Sequence, residues 1–214
     1  MTYPTLSGYP AGQKECEIVA LIALMNERKV RSYLEIGARH GDTFHRVCAQ
    51  VRSIEIAYAI DLPGGPWGQD GTDRHLANAV SAVAESGVEA MLFLGDSQSD
   101  EMVRSVVDAR LASKYRHPFP TRPFDVILID GDHRYEGVKK DFEQWSPFVE
   151  KLIAFHDIDG VNVIQKTQRL PVEVPVLWSE LKPHYPHFEF IEENPKRIRP
   201  MGIGVLDMEA ARAV

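Results

Sequence analysis

Phe124-Asp125-Val126-Ile127-Leu128-Ile129 runs without a break into Asp130-Gly131-Asp132-His133-Arg134-Tyr135-Glu136. The first six residues are mostly β-branched, aliphatic or aromatic, the composition of a strand. Beyond Asp125 the apolar side chains do not alternate with polar ones, so both faces of the strand are expected to be covered, as in a parallel sheet flanked by helices. The abrupt change to two carboxylates and an imidazole marks the strand's end as a place where chemistry is available.

Outward from this junction the period of the apolar residues switches repeatedly. Upstream, residues 33–36, 54–60 and 90–94 read as strands, separated by helical patterns over 13–28, 42–51, 72–85 and 99–112. Downstream, Val138, Phe142, Trp145 and Val149 follow helical spacing, and residues 152–155 supply a fifth strand. Strands alternating with helices demand a mostly parallel sheet, because each crossover returns the chain with right-handed geometry. The end breaks this pattern: a helix over 175–182 precedes strands at 188–191 and 203–206 with no helix between them, so these two pair antiparallel. The expected fold is α/β, a doubly wound, Rossmann-like seven-stranded sheet, mostly parallel with one antiparallel strand near the C-terminus. One domain over 1–214 is expected, with residues 1–12 as a lead that serves as a lid.

Composition narrows the function. A chain of 214 residues with 44% apolar content buries a continuous core in one domain. The net charge of −7, from 24 Lys plus Arg against 31 Asp plus Glu, removes the basic field that nucleic acid requires. Lys196, Arg197 and Arg199 form the one cationic cluster, compensated by Glu192 and Glu193. Cys16 and Cys48 stand far apart with no histidine at metal spacing, as expected of buried thiols in a reducing compartment. Neither a secretion signal nor a membrane span is legible, so a cytoplasmic protein is expected, with homo-oligomerisation left open.

Ligands of open α/β sheets bind beyond the carboxyl ends of the strands. After the first strand comes Glu35-Ile36-Gly37-Ala38-Arg39-His40-Gly41, where Gly37 and Gly41 let the backbone turn tightly and approach a ligand. The G-x-x-x-G spacing fails the dinucleotide fingerprint G-x-G-x-x-G, and Glu35 suits an amino group better than a pyrophosphate. After the second strand, Asp61, followed by Leu62, is placed to accept hydrogen bonds from both hydroxyls of a ribose. After the third, Gly95-Asp96-Ser97 offers a carboxylate and a hydroxyl to an adenine amino group. Each has a plainer reading as well: a structural turn for the glycines, a cap or solvated turn for Asp61, an ordinary helix N-cap for Asp96 and Ser97.

The fifth strand ends in His156-Asp157-Ile158-Asp159. If it neighbours the fourth, roughly 4.8 Å away, Asp130 and Asp157 project from adjacent tips. Two unshielded carboxylates so placed repel, and a divalent cation with oxygen ligands removes the penalty. The candidate ligands are Asp130, His156 and Asp157, although a histidine beside a strand end also reads as a hydrogen-bonded structural residue. Asp132 and Asp159 read as turn formers.

Taken together, residues 33–41, Asp61, 95–97, 128–137 and 154–157 resemble the class I S-adenosylmethionine-dependent methyltransferases. The stretch from Ile129 to Gly137, followed by Phe155-His156-Asp157, looks more narrowly like the small-molecule O-methyltransferases described as cephalosporin-hydroxylase-like or macrocin-O-methyltransferase-like. The resemblance implies a cofactor held by Glu35, Gly37, Gly41, Asp61, Leu62, Gly95, Asp96, Ser97 and Asp130. It also implies a magnesium ion at Asp130 and the pair after the fifth strand, with His133 as general base. Here that pair is His156-Asp157, and a histidine in place of a carboxylate makes another divalent ion an alternative.

The expected chemistry is displacement of the sulfonium methyl by the hydroxyl of a small-molecule acceptor, activated by the cation and deprotonated by His133. Three rivals remain at this point. One is an accessory protein that binds the cofactor without transferring its methyl; another is a nucleotide-cofactor oxidoreductase. The third is a generic α/β domain whose strand-end acids only cap helices.

Overall fold

Two segments, Phe124–Ile129 (β4) and Val149–His156 (β5), pair in parallel with Ile129 opposite Phe155, which sets Asp130 and His156 side by side at the rim. The computed structural model describes residues 13–63, 72–115, 122–159, 171–193 and 201–213. The expected 1–12 lid and the cluster of Lys196, Arg197 and Arg199 lie outside the described residues.

Around that pair stand Ser32–Ile36 (β1), Ile56–Asp61 (β2), Glu89–Leu94 (β3), His187–Phe190 (β6) and Ile203–Asp207 (β7). The seven strands form one sheet in the order β3-β2-β1-β4-β5-β7-β6. β7 runs antiparallel to both β5 and β6, while the other pairings are parallel. The expected doubly wound sheet with one reversed strand is borne out. The helices are Glu15–Glu27 (α1), Asp42–Gln50 (α2), Thr72–Glu85 (α3), Asp100–Ala112 (α4), Tyr135–Trp145 (α5), Val174–Leu181 (α6) and Met208–Arg212 (α7).

Side chains of the central strands part alternately into two cores. Tyr33, Val126, Leu128, Leu152 and Ala154 pack with α1, α2 and α3 on one face. Leu34, Ile36, Ile127, Ile129, Ile153 and Phe155 pack with α5 and α6 on the other. Each fully buried aliphatic or aromatic side chain contributes roughly 1.5–3 kcal/mol, so the strand tips are held by a rigid platform.

One boundary departs from expectation. Val149 continues the apolar stripe of α5 in sequence, yet it pairs with Phe124 as the first residue of β5. The short 3₁₀ turn Ser146–Phe148, with Pro147 in it, closes the helix first, because proline offers no N–H to continue it. α7 was not foreseen; Asp207 caps it, accepting the Ala210 N–H at 2.9 Å.

Candidate functional site

The turn after β1 is fitted to the tip of β4. Gly37 N–H donates to the Ile60 carbonyl at 2.9 Å, and Asp130 N–H to the Ile36 carbonyl at 2.9 Å. Gly37 has φ +83°, and a Cβ there would lie 2.3 Å from the Asp130 carbonyl oxygen, so only glycine lets the two loops meet. Gly41 has φ +81° and begins α2, and a Cβ there would lie 2.5 Å from Cβ of Ala79 on α3. The glycine at 41 thus answers to helix packing, a cause the sequence reading did not assign to it.

Beside this turn four side chains close on each other. His156 Nδ1 is 3.0 Å from Asp130 Oδ1 and 3.6 Å from Asp157 Oδ1. His133 Nδ1 is 2.9 Å from Asp157 Oδ2, and its Nε2 is 3.4 Å from Asp130 Oδ1. Asp157 takes φ +61°, a left-handed conformation that costs a non-glycine residue energy and recurs at functional sites. Burial opposes charge on the two histidines, but the two carboxylates outweigh it, pushing His133 up to about 10 and His156 to about 9. Burial works against the charged form of Asp130 too, and the imidazoles of His156 and His133 reverse it, holding the carboxyl well below its ordinary value.

Glu35 lies under the rim instead of lining it: 1% exposed, it accepts the Tyr33 hydroxyl proton at 2.6 Å. Burial pushes its carboxyl up to about 8, with the charges of Asp130 and Asp61 adding to the rise and the Tyr33 bond opposing it. Asp61 is more open and is tied by backbone N–H bonds from Arg39 and Leu62; burial nevertheless raises its pKa above the ordinary value. Leu62 itself is exposed. At the tip of β3, after Gly95, Asp96 Oδ1 accepts the Gln98 N–H at 2.9 Å, and Ser99, not Ser97, caps α4 by accepting Met102 N–H. Ser97 turns instead toward α5, donating to Asp141 Oδ1 at 2.7 Å.

These tips, with the carboxylate of Asp61 one strand from Gly37 and the histidine-aspartate quartet on the other side, make a rim that can hold a small polar ligand. A family model described as "Methyltransferase domain" matches residues 34–158, more than half of the chain and all of this rim. The chain belongs to that methyltransferase family.

Solved structures agree with the methyltransferase in fold. An O-methyltransferase from Bacillus cereus in complex with SAH has 16% identity and a TM-score of 0.57, covering 92% of this chain and 84% of that one. TomG from Streptomyces achromogenes, an O-methyltransferase involved in tomaymycin synthesis and solved with SAM, has 12% identity and a TM-score of 0.56, covering 91% and 81%. No curated protein matches the sequence.

In the methyltransferase, the two carboxylates on which a cation was expected have histidine neighbours. Asp130 and Asp157 are not unshielded: each faces an imidazole nitrogen within 3.0 Å. Among the described residues no group of three or more such side chains is arranged to hold a metal ion. As they stand, Asp130 and Asp157 each spend an oxygen on a histidine ring instead of turning together toward one point. The protonation of His133 alters its expected role as well, since an imidazolium has no lone pair with which to accept a proton.

Three polar residues escaped the sequence reading. Gln13 reaches the rim from the start of α1, donating to Asp130 Oδ2 at 2.7 Å and accepting from the Thr43 hydroxyl at the start of α2. No local signal marks either residue. Asp141 was legible: it falls among Val138, Phe142 and Trp145 on the apolar stripe of α5, where a carboxylate is out of place.

Proposed function

We propose that this methyltransferase transfers the methyl group of S-adenosylmethionine to a hydroxyl oxygen of a small molecule, with the neutral form of His133, the one that has a free lone pair, as the proton acceptor. The observation that carries the reading is His133 Nδ1 lying 2.9 Å from Asp157 at the tip of β4, beside the Gly37 turn. TomG, a neighbour of the same fold, serves tomaymycin synthesis, a small-molecule setting.

S-adenosylmethionine supplies an electrophilic methyl on a sulfonium sulfur. Asp61 accepts hydrogen bonds from the ribose hydroxyls, and the backbone at Gly37 and Gly41 lets the ligand lie close to the β1 turn. Tyr33 and Gln13 fix Glu35 and Asp130 beneath and beside it. Asp157 orients the His133 ring through Nδ1, leaving Nε2, 3.4 Å from Asp130, as the atom that takes the acceptor's proton. A base whose pKa stands near 10 matches a phenolic hydroxyl, for which transfer is nearly thermoneutral. No step here depends on a cation.

The test is incubation with methyl-labelled S-adenosylmethionine and a panel of phenols, catechols and aliphatic alcohols, with products read by mass spectrometry. A labelled methyl ether is expected, from phenolic acceptors first. Cofactor binding by calorimetry with no product from any acceptor would favour the accessory-protein reading. Turnover of a nicotinamide cofactor would favour the oxidoreductase.

A further inference from the structure

α5 grips the turn between β3 and α4 at two points one helical turn apart. Ser97 Oγ donates to Asp141 Oδ1 at 2.7 Å, and Trp145 Nε1 donates to the Ser97 carbonyl at 3.1 Å. Asp141 and Trp145 are both fully buried. Gln98 adds a third tie, its amide donating to the Gly137 carbonyl at 3.1 Å. Ser97 is therefore fixed in both backbone and side chain by groups that no solvent reaches.

A helix and a loop can pack without a buried carboxylate, which is costly to desolvate. What the carboxylate adds is direction. A hydroxyl has one proton and two lone pairs, and a carboxylate only accepts, so the Ser97 proton is committed to Asp141. The remaining capacity of Ser97 Oγ is then that of an acceptor. Its place in the sheet gives that a meaning: in the order β3-β2-β1-β4, a ligand with its ribose at Asp61 on β2 and its methyl toward β4 would extend its base over the tip of β3.

We propose that Asp141 is a specificity-determining positioning residue: by holding the Ser97 proton it presents an acceptor oxygen to the exocyclic amino group of adenine and disfavours a purine with a carbonyl there. The inference rests on the S-adenosyl reading above and names what selects its base. Asp96, the other side chain of the turn, spends Oδ1 on the Gln98 N–H at 2.9 Å.

The experiment compares S-adenosylhomocysteine with its deaminated analogue S-inosylhomocysteine by calorimetry on the full chain. It is run at pH 8, above the value of about 7 to which burial pushes the Asp141 carboxyl, so that the group is in its acceptor-only form. The wild type is expected to prefer the adenosyl compound by about tenfold or more. Asp141→Leu frees the hydroxyl to donate to a carbonyl, and the preference should fall toward unity. Asp141→Asn, whose amide oxygen still accepts from Ser97, should retain it. A merely structural role would weaken both ligands alike, so an unchanged ratio in Asp141→Leu overturns the inference. If that variant does not fold, Ser97→Cys decides, because a thiol can donate to Asp141 but is a weak acceptor; an unchanged ratio there overturns it equally. A wild type that binds both ligands equally overturns this inference alone, whereas one that binds neither overturns the functional reading beneath it.

Discussion

His133 Nδ1 stands 2.9 Å from Asp157 Oδ2, a contact between a loop after β4 and a left-handed residue after β5. Burial favours the neutral ring, but Asp130 and Asp157 overcome it and raise His133 to about 10. A general base works only when deprotonated, so kcat/KM should climb with pH from 7 toward about 10, roughly tenfold per unit. Asp157→Asn removes one of the two stabilising charges and should shift that limb to lower pH by a unit or more. An alkaline limb at the same pH in the variant would assign it to another group.

Glu35 couples the rim to folding. Its carboxyl is raised to about 8 in the folded chain from an ordinary value of 4.5, so the folded state binds the extra proton. The sign follows: this contribution is fully present below pH 4.5 and is lost as pH rises through about 8. At about 1.4 kcal/mol per unit, the loss amounts to a few kcal/mol, on the order of 10 °C in Tm for a chain of this size. Glu35→Gln should flatten the decline of Tm between pH 6 and pH 9, measured by calorimetric melting without ligand; a decline as steep as in the wild type would sink the assignment.

At Gly37 the added methyl of alanine would meet the backbone of Asp130 at 2.3 Å, and backbone cannot move aside as a flexible side chain can. Gly37→Ala should cost on the order of 2–4 kcal/mol of stability and separate the β1 turn from the β4 tip. Melting curves and S-adenosylhomocysteine titration on the same sample should both show losses. A variant with wild-type Tm and affinity would mean that the close approach is not required.

The histidine contacts of Asp130 and Asp157 bear on metals. Dialysis against EDTA should leave turnover within about twofold, because His133 and His156 already neutralise Asp130 and Asp157. A loss of tenfold or more that magnesium or manganese restores would show that the histidines yield to a cation during the reaction.

How much of this was legible in the sequence varies by scale. The sheet was, since the apolar runs at Phe124–Ile129 and Ser32–Ile36 are buried on both faces and carry no competing period. The end of α5 was not: Val149 fits the helical stripe by spacing, and a proline turn that costs the helix its next hydrogen bond hands it to β5. At the site, sequence brought Asp130, His133, His156 and Asp157 to one place but not the contacts between them. Those contacts depend on ring orientations and on the left-handed backbone at Asp157, which no local pattern marks. Gln13 lies 117 residues from Asp130 with no periodic signal to join them. Asp141 was passed over too, although a charge within the apolar stripe of α5 is a legible signal.

Isothermal titration of the protein with S-adenosylhomocysteine, alongside an Asp61→Ala variant of unchanged Tm, puts the rim of strand tips to the most direct trial. One-to-one binding in the micromolar range, weakened tenfold or more in the variant, is the expected result. An absence of heat in the wild type, or equal affinity in the two proteins, would contradict the assignment of this rim as the cofactor site.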